Sequence, residues 1–211
     1  TIYGNGRWSS QNALYLGVPT PTLNAAVEAR IISAYKIERK VAAKVFSRTG
    51  GTYSGKKKAI IEAVGNALYA SKICSYAQGM ALLRCASHEY DYGLDYSAIA
   101  RIWRGGCIIR ARFLDDVSAA YRENPELSNL ILAPFFRDAL ISRERAWRRA
   151  VEIAIRLGIP TPAMSASLAY FDAYRSPRLP ANLTQAQRDY FGAHTYQRVD
   201  REGIFHTKWG K

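Results

Sequence analysis

Side chains that suit an anionic ligand are concentrated near the C-terminal end of the chain, in residues 179–211. This stretch carries Arg188, His194, Arg198 and Arg201. An arginine guanidinium presents a fixed fork of hydrogen-bond donors that matches the oxygens of a phosphate or a carboxylate. An imidazole can donate to a hydroxyl or a phosphate oxygen without itself transferring a proton. The chemistry that these residue types predict is therefore recognition of an anion.

No complete active site is visible beside these cations. Gly4-Asn5-Gly6 is the one G-x-G in the chain, but only three residues precede it and the third glycine of the dinucleotide-binding fingerprint is missing. The chain has no HExxH motif and no nucleophile elbow, and no pair of carboxylates stands out. Its three cysteines have the spacing of no metal motif, and we expect them to be reduced core residues on helices of a cytoplasmic protein: Cys74, Cys85 and Cys107. We therefore predict no metal site.

The C-terminal segment also carries large apolar side chains that follow no regular spacing: Tyr190, Phe191, Tyr196, Ile204, Phe205 and Trp209. Such a segment cannot build a core of its own, so we expect an ordered arm that is buried against another surface and completes a site. A frayed terminus is the alternative, since chain ends are often poorly ordered. The aromatic content favours the arm, because disordered segments are usually poor in aromatic residues.

Local signals predict how Arg188 and His194 are positioned. Thr184 and Gln187 have the spacing of a capping box and predict the start of a short helix, which Gly192 ends. Arg188 then lies on the last helical turn, and His194 lies just beyond the break. On an unbroken helix the two side chains would point about 240° apart at ~3.6 residues per turn, so the break allows them to converge on one ligand.

The rest of the chain predicts an all-α domain that carries this arm. Apolar residues recur at roughly helical intervals over residues 59–90, 97–121 and 137–157. No run alternates between apolar and polar residues, so we expect few strands or none. No apolar run reaches the roughly 18 residues of a transmembrane helix, so we expect no membrane partner. We assign residues 1–176 to a helical domain and residues 177–211 to a C-terminal tail.

A six-residue turn occurs twice in the chain. LGVPTP at residues 16–21 returns as LGIPTP at residues 157–162. In each copy the glycine, Gly17 or Gly158, can take the left-handed conformation that ends a helix, and the Thr-Pro pair can cap and start the next one. The copies diverge at Arg30, whose counterpart is Phe171, so we expect only the first copy to face a polar site. A chance recurrence of a common turn is the alternative to an internal repeat.

The net charge of +13 also points to an anionic partner. Nucleic acid is one candidate for so basic a chain. However, the 30 Lys and Arg residues are spread along the sequence, and the one compact lysine run, Lys56-Lys57-Lys58, follows a glycine-rich turn. A basic field attracts a phosphorylated, carboxylated small molecule equally well. We therefore expect a small-molecule ligand and no nucleic acid.

Long stretches of the sequence resemble one family. Residues 180–196 read PANLTQAQRDYFGAHTY and residues 202–209 read EGIFHTKW, and GNGRW, SYAQGMALLRCAS, IWRGGCIIRARFL and NLILAPFF precede them in the same order as in that family. Together they resemble the C-terminal part of 6-phosphogluconate dehydrogenases over nearly the whole chain. The resemblance implies an all-helical domain with an internal repeat, without the family's N-terminal nucleotide-binding domain. It further implies the oxidative decarboxylation of 6-phosphogluconate to ribulose 5-phosphate in the pentose phosphate pathway, with NADP bound mainly by the missing domain.

The resemblance also implies which residues contact the substrate. Arg30, Arg188 and His194 match family positions that bind 6-phosphogluconate, the last two reaching the site of a partner subunit in a homodimer with exchanged tails. The family's catalytic lysine and glutamate lie upstream of the matched segment, so we assign no catalytic residue to this chain. Where the family usually has a substrate-binding lysine, this chain has Tyr3, a possible substrate contact without the charge. A stand-alone helical module that dimerises or binds a phosphosugar without catalytic activity is the alternative.

Overall fold

A computed structural model describes residues 4–46 and 50–210 of the chain. The contacts divide it into two compact units, Thr1–Phe171 and Asp172–Lys211. We call the first the helical unit and the second the arm.

Helices make up most of the described residues. The helical unit contains α1 (Asn5–Tyr15), α2 (Pro21–Ala34), α3 (Lys36–Val45), α4 (Lys57–Glu89), α5 (Tyr96–Trp103), α6 (Leu114–Glu123), a 3-10 turn (Leu130–Leu132), α7 (Pro134–Arg156) and α8 (Pro162–Tyr174), whose last residues belong to the arm. The arm contains α9 (Asn182–Gly192) and an antiparallel pair of two-residue strands, β1 (Tyr196–Gln197) and β2 (Ile204–Phe205). The predicted all-α fold with few strands is confirmed.

The central element of the helical unit is α4, which packs against α7 and α2. Its 33 residues correspond to ~50 Å at ~1.5 Å per residue. Its buried face consists largely of small residues: Ala63, Ala67, Ala70, Ala77 and Cys74. The same core contains Trp147 and Phe136 of α7, both fully buried. Neither α4 nor any other helix in the described part of the chain is long and apolar enough to cross a membrane.

The helical spacing over residues 97–121 belongs to two helices rather than one. The loop between α5 and α6 contains Gly106, whose φ of +68° lies in the left-handed region where glycine is favoured. Across this loop, Arg104 and Asp115 form an ion pair of 2.6 Å. Cys107 lies in the loop, so its predicted place on a helix is wrong. Cys74 does lie on α4, and burial raises the pKa of its thiol to about 12.

The two copies of the repeated turn have the same backbone structure. Gly17 has a φ of +67° and Gly158 a φ of +62°. The next residue in each copy donates its amide to the carbonyl five residues earlier at 2.8 Å, from Val18 to Ala13 and from Ile159 to Ala154. This is the hydrogen bond of a Schellman helix ending. The predicted role of both glycines is confirmed.

The threonines of the repeat occupy similar positions, and Thr20 makes a different bond from the one predicted. Thr20 is the residue before α2, yet its side chain makes no capping bond to a helix amide. Its hydroxyl instead lies 3.3 Å from the Asn24 side-chain oxygen, and the Thr161 hydroxyl lies 3.2 Å from that of Ser165. Pro21 and Pro162 begin their helices as expected. The repeat therefore preserves the turn and uses the threonines for a side-chain contact one turn further on.

Candidate functional site

Helix α2, which carries Arg30, is fixed at its start by a buried side chain of α4. Gln78 is fully buried, and its amide group makes two bonds to Thr22. Its side-chain oxygen accepts from the Thr22 amide at 3.0 Å, and its nitrogen donates to the Thr22 hydroxyl at 2.8 Å. Because the first amides of a helix lack partners within the helix, Gln78 supplies the cap that Thr20 does not.

Arg30 lies exposed on α2, one turn before the helix ends at Ala34. Its guanidinium donates to the Ser33 hydroxyl at 2.7 Å, and this hydroxyl donates to the Arg30 carbonyl at 2.6 Å. Arg39 of α3 donates to the Ser33 carbonyl at 3.1 Å. Two guanidinium groups therefore lie around one serine, which gives Arg30 a cationic setting that suits a phosphate.

The repeat counterpart of Arg30 has a different environment. Phe171 on α8 is buried in the core, whereas Arg30 is exposed. The same position therefore serves packing in the second copy and carries an exposed cation in the first.

In the arm, α9 does not begin with the predicted capping box. The residue before the helix is Ala181, and no side chain caps the helix start. Thr184 and Gln187 lie inside the helix instead of at its boundary, so the capping-box prediction is wrong. The sequence offers a Thr-x-x-Gln pattern here, but the helix starts two residues earlier, at Asn182.

The C-terminal end of α9 is where the sequence predicts it, at Gly192, although the left-handed residue is the next one. Ala193 has a φ of +49° and donates its amide to the Asp189 carbonyl at 2.9 Å. This bond is that of an αL helix ending, and the His194 amide also donates to the Arg188 carbonyl at 3.5 Å. A Cβ at Gly192 would lie 2.8 Å from the His194 ring nitrogen Nε2. The imidazole therefore folds back over the end of the helix, where only a glycine leaves room for it.

Arg188 and His194 are both exposed at this end of α9. Neither side chain has a hydrogen-bond or ion-pair partner among the residues that the structure describes. Arg198 differs, because it forms an ion pair with Asp200 at 2.5 Å. The side chains of Arg188 and His194 are thus among those that the arm leaves available for a ligand. Arg30 belongs to the helical unit, and Tyr3 lies outside the described residues.

A buried carboxylate, Asp189, organises the arm. Its oxygen Oδ1 accepts from the Thr195 amide at 3.0 Å and from His206 Nδ1 at 2.9 Å, and Oδ2 accepts from the Thr207 amide at 3.0 Å and from Trp209 Nε1 at 2.9 Å. The side chain is 0% exposed, although it lies next to Arg188 in the sequence. We call this group the Asp189 clasp, and its members are Asp189, Thr195, His206, Thr207 and Trp209.

Hydrogen bonding determines the charge state of the clasp. Burial by itself would raise the pKa of Asp189, but the bonds from the Thr207 amide, His206 and Trp209 outweigh it and lower the pKa below the usual aspartate range. The group is therefore an ionised carboxylate at neutral pH. Because a carboxylate only accepts hydrogen bonds, His206 must donate through Nδ1–H.

The sequence reading did not identify the clasp. Asp189 is the only acidic residue in residues 179–199, a signal that could have indicated a structural role. Its donors lie up to 20 residues further along the chain, however, and no local pattern links them to it.

Large apolar side chains of the arm remain exposed. Phe191 is 81% exposed and Ile204 is 71% exposed, while Tyr190 lies edge-on to Trp209 at 5.8 Å between ring centroids. Exposed apolar groups of this size are typical of surfaces that bind another surface. The arm is thus ordered around polar bonds and has no apolar core of its own.

No group of three or more metal-ligating side chains occurs within residues 4–46 and 50–210. The Gly4-Asn5-Gly6 sequence opens α1, with Gly4 as the residue before the helix. The exposed side chains of Arg30, Arg188 and His194 can each donate hydrogen bonds to an anion.

The family to which this domain belongs follows from comparison with known proteins. The family model "6-phosphogluconate dehydrogenase, C-terminal domain" matches residues 2–209. The chain belongs to this family, and the resemblance noted in its sequence is confirmed.

Curated relatives and a solved structure agree with this assignment. The chain is 58% identical to a decarboxylating 6-phosphogluconate dehydrogenase of Synechococcus elongatus over 98% of its length and 44% of that protein, and 56% identical to decarboxylating enzyme 2 of Arabidopsis thaliana over 99% and 44%. It also matches the Plasmodium falciparum 6-phosphogluconate dehydrogenase, which was solved in its apo form, with its cofactor NADP+ and with its substrate 6-phosphogluconate. That match has 46% identity and a TM-score of 0.91 and covers 98% of this chain and 44% of the other. The chain thus spans less than half the length of these relatives.

Proposed function

We propose that this chain is the substrate-binding and dimerising part of an NADP-dependent, decarboxylating 6-phosphogluconate dehydrogenase. The single observation that carries the proposal is that the side chains of Arg188 and His194 are exposed and, within the described residues, unpaired in a chain of this family. Both are exposed at the end of α9, and neither side chain has a hydrogen-bond or ion-pair partner among the described residues. The full-length protein would oxidise the C3 hydroxyl of 6-phosphogluconate, release carbon dioxide and form ribulose 5-phosphate.

The substrate carries a phosphate at one end and a carboxylate at the other. We assign the phosphate to Arg30 and Arg188, because a guanidinium matches its oxygens with two parallel bonds. His194 would donate to the sugar-acid chain, and Tyr3 would be a further, uncharged contact. NADP supplies hydride acceptance when it is bound, and we assign its binding mainly to the nucleotide domain that this sequence does not contain.

The arm would act across a dimer. We propose that residues 177–211 reach into the partner subunit and bring Arg188 and His194 to its site. The exposure of Phe191 and Ile204 supports this proposal, because these side chains leave water only if another surface covers them. The helical unit also has exposed apolar residues that a partner subunit could bury. Among them are Ile37, Val41 and Val45, which are spaced four residues apart on α3.

The first experiment is an Arg188→Ala substitution in the natural full-length protein. Loss of a charge-assisted contact of about 1.5–3 kcal/mol should raise KM for 6-phosphogluconate about ten- to a hundred-fold, with a smaller change in kcat. Arg178→Ala is the matched control, since it removes the same charge from an exposed arm residue outside α9. Equal KM values for both variants and the unmodified protein would contradict the proposal.

Mixed dimers test whether the arm crosses. One chain would carry Arg188→Ala, and the other would be inactivated in its nucleotide domain. If the arm serves the partner's site, one intact site remains in each mixed dimer and activity is recovered. If each site uses the arm of its own chain, mixing recovers none. A full-length protein that binds 6-phosphogluconate but oxidises none would favour the non-catalytic module instead.

The site of action in the cell stays a prediction. We expect it to be cytoplasmic, but two Arabidopsis relatives are named as chloroplastic enzymes.

A further inference from the structure

We propose that Asp189 is a positioning residue: through the Asp189 clasp it sets the geometry of Arg188 and His194 without contacting the ligand itself. The inference rests on the proposed function of those two residues. Asp189 is fully buried, whereas Arg188 and His194 are exposed, so it can act on a ligand only through its neighbours.

The clasp closes the arm from both directions along the chain. One donor, the Thr195 amide, lies directly after the end of α9. The other three, from His206, Thr207 and Trp209, follow strand β2. The two carboxylate oxygens thus join the helix, the turn and the end of the chain at one point. An arm without an apolar core depends on such a point, because polar bonds replace apolar burial in resisting its opening.

The turn around His194 particularly needs this support. Ala193 has a φ of +49° and Thr195 a φ of +61°, so the histidine is flanked on both sides by non-glycine residues in the left-handed region. This conformation is costly for residues with a Cβ and is rarest for β-branched ones such as threonine, so it persists only where the surroundings enforce it. Asp189 enforces it twice: its carbonyl accepts from the Ala193 amide, and its carboxylate accepts from the Thr195 amide.

A second side chain strengthens the same turn from within α9. Gln185 donates through Nε2 to the Thr195 carbonyl at 2.5 Å, so both polar backbone groups of Thr195 are bonded. Among the described residues the His194 side chain has no such bond of its own, and its position follows from the backbone on either side and from the space over Gly192. A loss of the carboxylate would therefore release the histidine without removing it.

The test is Asp189→Asn in the natural full-length protein. Asparagine keeps the size of the side chain but has one acceptor oxygen, so at most two of the four donors keep a partner. We expect KM for 6-phosphogluconate to rise about ten-fold or more while kcat stays within about two-fold, as for loss of substrate binding alone. Hydrogen exchange at the Thr195 and Thr207 amides should become faster at the same time.

Two further variants keep the test decisive if Asp189→Asn fails to fold. Trp209→Phe removes one donor and keeps a ring beside Tyr190, so it should raise KM in the same direction but by less. Asp200→Asn is the matched control, because Asp200 is an exposed carboxylate of the same arm that pairs only with Arg198 in the described structure. It should leave KM and amide exchange at Thr195 unchanged.

The possible outcomes separate this inference from the proposed function. If Arg188→Ala leaves KM unchanged, the proposed function itself is wrong. If Arg188→Ala raises KM but Asp189→Asn and Trp209→Phe do not, the positioning role alone is overturned. An unchanged exchange rate at Thr195 in both clasp variants would likewise overturn it, because the clasp would then not hold the turn.

Discussion

Different interactions stabilise the helical unit and the arm, each within itself. In the helical unit, Trp147, Phe136 and the alanine face of α4 form a core from which water is excluded. In the arm, the most buried side chain is a carboxylate, and Phe191 and Ile204 face solvent. Apolar burial is non-directional and fixes a scaffold, whereas hydrogen bonds to Asp189 fix the direction of particular groups. A segment of the chain can therefore be precisely ordered without an apolar core of its own.

The largest effect is expected from a cavity in the helical unit. Phe136 is fully buried and lies edge-on to Phe113 with ring centroids 5.8 Å apart. Phe136→Ala should lower the free energy of unfolding by about 3–5 kcal/mol through lost burial and the cavity left behind. Its neighbour Phe135 is 49% exposed, so Phe135→Ala is the matched control with a clearly smaller loss in chemical denaturation.

The same substitution sharpens the comparison between the two units. Amide exchange at Thr195 in the arm should stay unchanged in Phe136→Ala under conditions where the helical unit is still folded. A loosened Thr195 amide would mean that the Asp189 clasp depends on the core of the helical unit, and the distinction would fail.

A smaller loss of unfolding free energy is expected at Gln78, a buried polar residue within the helical unit. Gln78→Ala leaves the amide and the hydroxyl of Thr22 without their partner, which should cost about 1–3 kcal/mol of unfolding free energy. Gln11→Ala, on the exposed face of α1, should change it by less than about 0.5 kcal/mol. If Gln78→Ala costs as much as Phe136→Ala, the helical unit depends on polar bonds as strongly as the arm does.

The most local effect is expected from acid. An unfolded aspartate has a pKa of about 3.9, and the folded arm lowers the pKa of Asp189 below that. The ionised carboxylate therefore stabilises the arm fully at any pH above about 3.9. This contribution is lost as the pH falls below about 3.9 and through the lower folded pKa. Trp209 fluorescence and Thr195 exchange should therefore change in that range. The change attributable to Asp189 is the difference from Asp189→Asn, which cannot titrate there; identical acid profiles for the two proteins would contradict it.

The elements that sequence reasoning identified are those with local causes. Gly17 and Gly158 end their helices because each turn needs a residue in the left-handed conformation. All the residues that specify this turn lie within six consecutive positions. The long helix followed from the spacing of its apolar residues alone. The apolar spacing over residues 97–121 did not reveal that this stretch forms two helices, because the spacing continues across the break. The Gly105-Gly106 pair is the local signal of that break.

The parts that sequence reasoning missed depend on contacts between distant residues. Thr184 has a side chain that can cap a helix, but α9 starts two residues earlier, at Asn182. The Thr184 hydroxyl therefore does not lie at the helix start, where the free amides are. Gln78 and Thr22 are 56 residues apart, and Asp189 and Trp209 are 20 residues apart. The residue types permit both pairs, and only the folded chain selects them. The ligand roles of Arg188 and His194 stay predictions, which rest on their residue types, on the break at Gly192 and on the family resemblance.

The exposed side chains of the arm also bear on how its stability varies with temperature. The heat-capacity increase on unfolding comes mainly from apolar surface newly wetted, and polar surface offsets it. In the isolated chain Phe191 and Ile204 are already exposed to water, so unfolding of the arm adds little to that term, whereas unfolding of the helical unit exposes Trp147 and Phe136. The arm's stability curve should consequently be shallow and the helical unit's strongly domed. Cooling would then weaken the scaffold while leaving the segment that carries Arg188 and His194 almost unaltered.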